Sequence, residues 1–569
     1  MTSVDKNKKL EDRLKFIKLY KAAVDAKLSK EQLAAYLNVK PDSIIRRRLV
    51  IQESIGIILP YLPSDESDIS TEKLQKFRIE LGKLTRAENK IINNPVEDEF
   101  DECDRIIITS AQNYTPIFNE FLASIFTYMK TNPKTLFKVI PYRYKNPTSI
   151  FQDKDREYWD PKIMPYILDY QVKIFDNLQL VGQLKRQPTA DYPVNGFEAL
   201  TGTDSAIIGH PKIQWKTIPT PSKSFPKILT STGAITVPNY TDSAAGLKGK
   251  HHHSFAAVII ELDRKNKIFH IRHIHADKED GGFYDIAKGV LRRYSPNDVT
   301  VGERVTALVT GDTHAIYHDP TVEKATYTDR NSILNLLKPE NHFIHDLNDC
   351  YTVSHHHMHS RTIRVGKHRF GRNNLERELQ IAADLLDNIT REDMKTYIVK
   401  SNHDEHFDKW LETANPDLDP ENSQFFHWMR YNKEKFLTPT NTGFKQIDPF
   451  EFWCTHPDQE RGLKNVHLIT FLKRDQDVVI NNIDFSFHGD RGANGGKGSL
   501  QSFAKSGTKV VIGHSHYPGI HEGAYQVGLS AYIDLEYKSG LDSWLNTHCI
   551  VYPDGKRTLI NIINSKWFL

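Results

Sequence analysis

The sequence predicts an α/β fold preceded by a small helical domain, and three observations carry that reading. Short apolar runs rich in Val and Ile alternate with stretches of helical periodicity from residue 104 onward. Several of these runs end on polar blocks of Asp, His and Asn, as expected when ligands gather beyond the carboxyl ends of strands. The first 60 residues have no such runs and repeat their apolar residues at helical spacing instead.

With 569 residues, 39% hydrophobic and 26% charged, the chain is long enough for about three or four soluble globular domains. A net charge of +3 excludes a global basic field, so nucleic-acid contact would have to come from local patches. The four cysteines, Cys103, Cys350, Cys454 and Cys549, have no paired spacing, which points to a reducing compartment and away from a zinc ribbon. Met1 to Lys9 is polar and lysine-rich, so no secretory signal is expected, and no apolar run is long enough for a membrane span. Of the 26 histidines, 18 lie between residues 301 and 521, which supports a metal or phosphate site there.

Leu10, Leu14, Ile17, Tyr20 and Val24 recur at helical spacing. Ser29 and Gln32 then form a capping-box pattern, and residues 31–44 resemble a helix-turn-helix whose second helix begins near Pro41 and carries Arg46, Arg47 and Arg48. Those arginines are expected to meet phosphates or guanine edges; a plain helical hairpin with a solvated basic end is the alternative. Residues 62–100 are charged; Pro63 to Asp68 reads as a linker and Glu97 to Glu102 as a solvated acidic run. From 104 the pattern is strand (Arg105–Thr109), helix (Thr115–Tyr128) and strand (Thr135–Pro141), a β-α-β unit, with further strands at Leu178–Val181 and Ser205–Ile208. Lys248 to His253 is a polar cluster read as a flexible turn, and residues 254–275 alternate as a hairpin.

Five polar blocks follow. Asp312 and His314 come after the apolar run Val305–Val309, and Asp346 and Asp349 after Asn341–Ile344. Asn402, His403 and Asp404 come after Thr396–Val399, and His514 and His516 after Lys509–Ile512. The fourth block is Phe487-His488-Gly489-Asp490. Helical periodicity from Leu375 to Leu386 separates two of these runs, so the order is strand, helix, strand. Several Asp, His and Asn residues without Cys suit one or two divalent ions such as Mn²⁺, Zn²⁺ or Fe²⁺. His355-His356-His357, with His359 and Arg361, reads as a basic rim that steers phosphate or as a spare metal site. The glycine-rich run Gly489 to Ser499 is not a P-loop, because Gly498 rather than Ser or Thr follows Lys497; with Arg491 and Lys497 it reads as a nucleic-acid groove or a mobile edge. Thr547–Tyr552 and Thr558–Ile563 form a hairpin about Asp554-Gly555, expected to complete a second sheet.

The ordered series Asp-x-His, Asp-x-x-Asp, Asn-His-Asp, His and Gly-His-x-His, across residues 305–520, resembles the calcineurin-like metallophosphoesterase superfamily, in its SbcD-like nuclease branch. His345 and Ser401 stand where that family usually has turn glycines. The resemblance implies a four-layer α/β/β/α core over 250–569. Before it come a helix-turn-helix-like domain over 1–60, a charged linker and helix over 61–103, and an accessory α/β domain over 104–245. It also implies two divalent metal ions, with Mn²⁺ expected: Asp312, His314 and His516 on the first, Asn402, His488 and His514 on the second, and Asp346 bridging both. His403 would be the acid that protonates the leaving oxygen, and Asp349 and Asp404 would orient the histidines.

In that family two ions about 3.5–4 Å apart clamp the phosphoryl group and activate a water for in-line attack. The implied function is a dimetal phosphodiesterase acting as a DNA nuclease. A small-molecule phosphatase or cyclic-nucleotide phosphodiesterase is the first alternative. A DNA-binding scaffold with a vestigial site is the second. The overall arrangement also resembles the early DNA-transfer nucleases with which large tailed bacteriophages degrade host DNA. That likeness implies a cytoplasmic enzyme with DNA as its partner, and a homo-oligomeric form is compatible with it.

Overall fold

The computed structural model describes residues 3–55, 59–63, 73, 76, 100–144, 159–184, 186–221, 225–357, 360–456, 462–535 and 540–568. Ser64 to Asp68 of the expected linker, Glu97 to Glu99 of the acidic run, and His359 lie outside them. The fold is mixed α/β. No described helix is long and apolar enough to cross a membrane.

The N-terminal helices are Ser3–Asp25, Lys30–Tyr36 and Pro41–Ile55. The capping box is present: Gln32 N–H donates to Ser29 Oγ and Ser29 N–H to Gln32 Oε1, both at 3.1 Å. Phe16, Tyr20, Leu33, Ile44 and Ile51 close a small core around it. Arg46 and Arg47 are exposed, but Arg48 is buried. Its guanidinium donates to Leu59 O at 3.3 Å and lies 3.7 Å from the Tyr61 ring centre, so Arg48 holds this domain together instead of presenting to a duplex.

The β-α-β unit is formed by Arg105–Gln112, the helix Asn119–Thr131 and Thr135–Tyr142, with the two strands parallel. The other edge of Arg105–Gln112 pairs antiparallel with Ala256–Asp263, and the hairpin partner Ile268–His275 completes a four-stranded sheet. The expected accessory segment and the following one are therefore joined by backbone hydrogen bonds. A buried charge network reinforces the joint. Glu261 accepts from Arg105 at 3.0 Å and Arg272 at 3.1 Å, and Arg272 also donates to Asp285. Burial alone would raise the Glu261 pKa; Arg272 and Arg105 instead hold it down to about 2. Glu261→Ala leaves two buried arginines short of a partner and is expected to cost about 3–5 kcal/mol in urea unfolding. Because the folded pKa is depressed, this stability is present above the ordinary carboxylate range and is lost as pH falls through about 2. Lys248 to His251, read as a flexible turn, belong to a helix, Ala244–His251, whose N-terminus Ser243 caps.

Two larger sheets carry the polar blocks. The first has the order Ile469–Leu472, Lys395–Val399, Asn341–Ile344, Ala307–Val309, Thr547–Val551, Arg557–Asn561; its first four strands are parallel. The C-terminal hairpin thus joins this first sheet beside Ala307–Val309 rather than completing a second one. The second sheet has ten strands. Lys509–Ile512, Ala524–Gln526 and Gly519–His521 continue into Gln214–Ile218, Lys227–Ser231, Ser205–Ile208, Leu178–Val181 and Gln171–Phe175.

Ala307, Val309 and Phe343 of the first sheet share one apolar core with Trp215, Val511 and Ile520 of the second. Leu308, Ile344 and Ile398 point the other way, against Leu379, Ala382, Ala383 and Leu386 of the helix Leu375–Ile389. This two-faced burial follows from the alternation of side chains along a strand. The helix begins where Asn374 Oδ1 accepts the Arg377 N–H at 2.8 Å, with Glu376 and Glu378 favouring its positive end.

Candidate metal centre

Asp312, Asp346 and Asn402 each follow a first-sheet strand by two or three residues, and His514 follows a second-sheet strand in the same way. Backbone bonds register the loops. Thr313, His314 and Ala315 donate to His345, Asp346 and Leu347 at 3.0, 2.7 and 2.9 Å, and Gly513 donates to His488 O at 2.7 Å. His314, Asp346, His514 and His516 all have φ between +42° and +76°, a left-handed conformation that non-glycine residues hold only when their surroundings enforce it. Gly513 is required for a different reason: a Cβ there would lie 2.2 Å from Asp312 Oδ1. Gly513→Ala is expected to displace Asp312 and to weaken metal binding about 10–100-fold, as measured by metal titration.

The side chains form one connected cluster. His314 Nε2 and His516 Nε2 face each other at 3.0 Å, with Asp346 Oδ2 3.9 Å from His314 Nε2. His516 Nε2 is 3.5 Å from Asp312 Oδ2. His488 Nε2 is 3.2 Å from Asp346 Oδ2. Asn402 Oδ1 lies 3.1 Å from His514 Nδ1, and the His488 and His514 rings are 5.2 Å apart. Three groups here have ligand atoms close enough to share an ion: one is His314, Asp349 and His403, and the other two are His314, Asp346 and His516, and Asp312, Asp346 and His488. Asp346 is common to the last two. Asn402 and His514 are half-buried at the open side of the cluster, whereas the other five are buried.

Asp349 organises the histidines. One of its carboxylate oxygens lies 3.2 Å from His314 Nδ1 and 2.7 Å from His403 Nδ1. A carboxylate this close to Nδ1, although not aligned for a hydrogen bond, favours a proton on that nitrogen, and Nε2 of His314 faces the cluster. Burial alone would lower the His403 pKa, but Asp346 and Asp349 raise it to about 10. Asp404 does not touch a histidine. It accepts from Ser401 N at 2.9 Å and Ser401 Oγ at 3.2 Å, and so shapes the turn where the family usually has glycine.

These residues fit a divalent cation. Burial, and then the neighbouring Asp346 carboxylate, push Asp312 up to about 7. Asp346 goes the other way: burial would raise it, but His488 and His403 hold it well below the ordinary range. Both oxygens of both carboxylates lack an aligned hydrogen-bond donor among the described residues, close as His488 Nε2 stands. Four buried carboxylate oxygens without donors are costly unless a cation meets them.

Sequence reasoning passed over three neighbours. His345 is buried with Nδ1 3.4 Å from His488 Nδ1; its signal was its own replacement of the usual glycine. Glu378, from the helix Leu375–Ile389, accepts the N–H groups of Tyr351 and Thr352 at 2.8 and 2.9 Å and steadies the turn after Asp349. His406 packs 5.2 Å from His403. Arg491, expected to line a groove, is paired with Glu405 at 2.6 Å, beside the Arg474–Asp490 pair at 2.7 Å. Gly498 lets its loop fold back, since a Cβ there would lie 1.9 Å from Gly489 O.

No protein-family model matches the chain, and no solved structure does. The chain is 30% identical over 493 residues to a protein named Protein A1 from Escherichia phage T5; the match covers 84% of this chain and 85% of that one.

Proposed function

The chain belongs to the family of Protein A1 of Escherichia phage T5, and from that premise we propose that it is a phage-encoded dimetal phosphodiesterase that cleaves DNA. The observation that carries the reading is the pair of buried carboxylates, Asp312 and Asp346, ringed by His314, His488 and His516 and lacking aligned donors among the described residues. In this reading Asp312, His314 and His516 hold one ion, Asn402, His488 and His514 the other, and Asp346 both. The two ions, Mn²⁺ in the first instance, would polarise the phosphoryl group and supply an activated water. In this reading the two large sheets, packed on a common core with the helix Leu375–Ile389 outside the first, would be the inner layers of an α/β/β/α core.

The chain's own residues do the rest. His403 holds a proton through its Asp349 partner, and its Nε2 proton would go to the departing oxygen. The left-handed residues of the ligand loops fix ligand positions before substrate arrives, which spares that cost during the reaction. A polyanionic substrate is supported by the helix Arg361–Arg369, whose Arg361, Arg364, His368 and Arg369 are exposed. The site of action in this reading is the cytoplasm of the infected bacterium.

The test is digestion of circular plasmid DNA with Mn²⁺, beside EDTA and Asp312→Ala controls. Cleavage that needs both the metal and Asp312 is the expected result. A small chromogenic phosphodiester is assayed in parallel; hydrolysis of that ester with intact plasmid would overturn the nuclease reading and leave a small-molecule phosphodiesterase.

A further inference from the structure

Three imidazoles converge next to the centre described above. His355 and His356 lie in the turn His355–His357, and His406 lies on the helix Asp404–Thr413. One ring nitrogen of each falls within 4.8 Å of the other two, and the group contains no carboxylate. Ring centres are 3.9 Å apart for His355 and His356, and 5.1 and 5.6 Å from these to His406. His406 is 9% exposed, and its Nδ1 meets no hydrogen-bond partner among the described residues; the same holds for His355 Nδ1. Rings crowded this closely either repel as cations or offer lone pairs to a shared one.

We propose that His355, His356 and His406 form a third cation site, distinct from the dimetal centre, for a borderline transition ion such as Zn²⁺. Three imidazole nitrogens suit zinc, copper or nickel better than the hard ions magnesium and calcium. Tetrahedral zinc with bonds of about 2.0–2.1 Å needs nitrogens about 3.4 Å apart, which rotation of the exposed His356 side chain brings within reach. Three protein ligands leave a fourth position open to water or to a phosphate oxygen.

Placement gives the ion a task. His355 and His356 follow the loop that carries Asp346 and Asp349, and His406 stands one helical turn beyond His403. An ion held by all three ties the turn His355–His357 to the helix Asp404–Thr413, 5.2 Å (ring to ring) from His403 on the His406 side. None of these three histidines belongs to the groups that contain Asp312 or Asp346.

The test is a zinc count by elemental analysis after equilibrium dialysis of the full chain, in two backgrounds, wild type and Asp346→Ala. In each, the protein is compared with its His355→Ala/His356→Ala derivative. The expected result is one zinc equivalent fewer per chain in both derivatives, and loss of the rise in unfolding temperature that zinc gives Asp346→Ala. Equal zinc content with and without the two histidines, in either background, overturns the proposal whatever the nuclease assay shows. Circular dichroism checks folding. Should the double variant not fold, His356→Ala alone decides: a loss of zinc affinity of about tenfold or more supports the site, and unchanged affinity overturns it.

Discussion

Asp346→Ala is expected to abolish phosphodiester hydrolysis and to cut the metal content of the purified protein. Asp346 belongs to the two fully buried groups that can hold an ion, so its loss damages both at once. Removing a residue that merely orients a ligand costs about 10–100-fold in affinity or activity; removing a shared ligand should cost more and leave only background cleavage. Plasmid digestion and elemental analysis measure the two effects. The N-terminal helices have their own core and capping box, so their contribution to the circular dichroism spectrum should persist. Full activity with undiminished metal would exclude Asp346 as the bridge.

His403→Ala should separate chemistry from binding. His403 touches Asp349 and lies beside His314 and His406; it shares a candidate ion group with His314 and Asp349 but none with Asp312 or Asp346, the carboxylates that would hold the two ions of the proposed function. Metal content should therefore stay, while turnover falls on the order of 10²–10⁴-fold, as when a general acid is lost. The metal-free protein offers a second readout. The His403 pKa is raised to about 10 by Asp346 and Asp349 against the opposing effect of burial. A raised histidine pKa stabilises the folded state fully below about 6.5 and loses that contribution as pH rises through the folded value. In EDTA, wild type should exceed His403→Gln in stability near neutral pH, and the gap should close toward pH 10. A gap that does not change with pH would mean that His403 is uncharged there.

The parts of this structure legible in the sequence are those set by local chemistry. Ser29 and Gln32 announce a capping box because the motif is complete within four residues. The blocks at 312, 346, 402 and 514 follow apolar runs that are strands, and chemistry placed just beyond a strand end needs no distant information. Asp349 could be flagged for the same reason. Asp404 could not be placed so well: from sequence a carboxylate beside His403 looks like a histidine partner, whereas in three dimensions it accepts from Ser401. Arg48 looked solvated because Leu59 and Tyr61, which cover it, come after the helix.

Sheet membership was the least legible feature. Thr547–Val551 and Arg557–Asn561 are buried along their whole length. A strand covered on both faces has no polar side to say which neighbour it takes. The hairpin turn at Gly555, with φ +74°, was readable; the sheet it enters was not. The strands between Gln171 and Ser231 pose the same problem, since the hydrogen bonds that place them in the ten-stranded sheet run to Gly519–His521.

That last pairing has a consequence for the order in which the protein can be made. Gln214–Ile218 leaves the ribosome roughly 300 residues before its partner strand, a wait of about 15–60 s at 5–20 residues per second. Until then the five-stranded piece from Gln171 to Ser231 has an open edge, which is prone to wrong pairing and is a natural place for a chaperone to bind. The same delay governs activity. His488, His514 and His516 lie near or beyond the start of the last 85 residues, so a nascent or truncated chain already displays Asp312 and Asp346 without them. In the function proposed, a cell making this protein would meet the nuclease only as a finished molecule, never as a partial one.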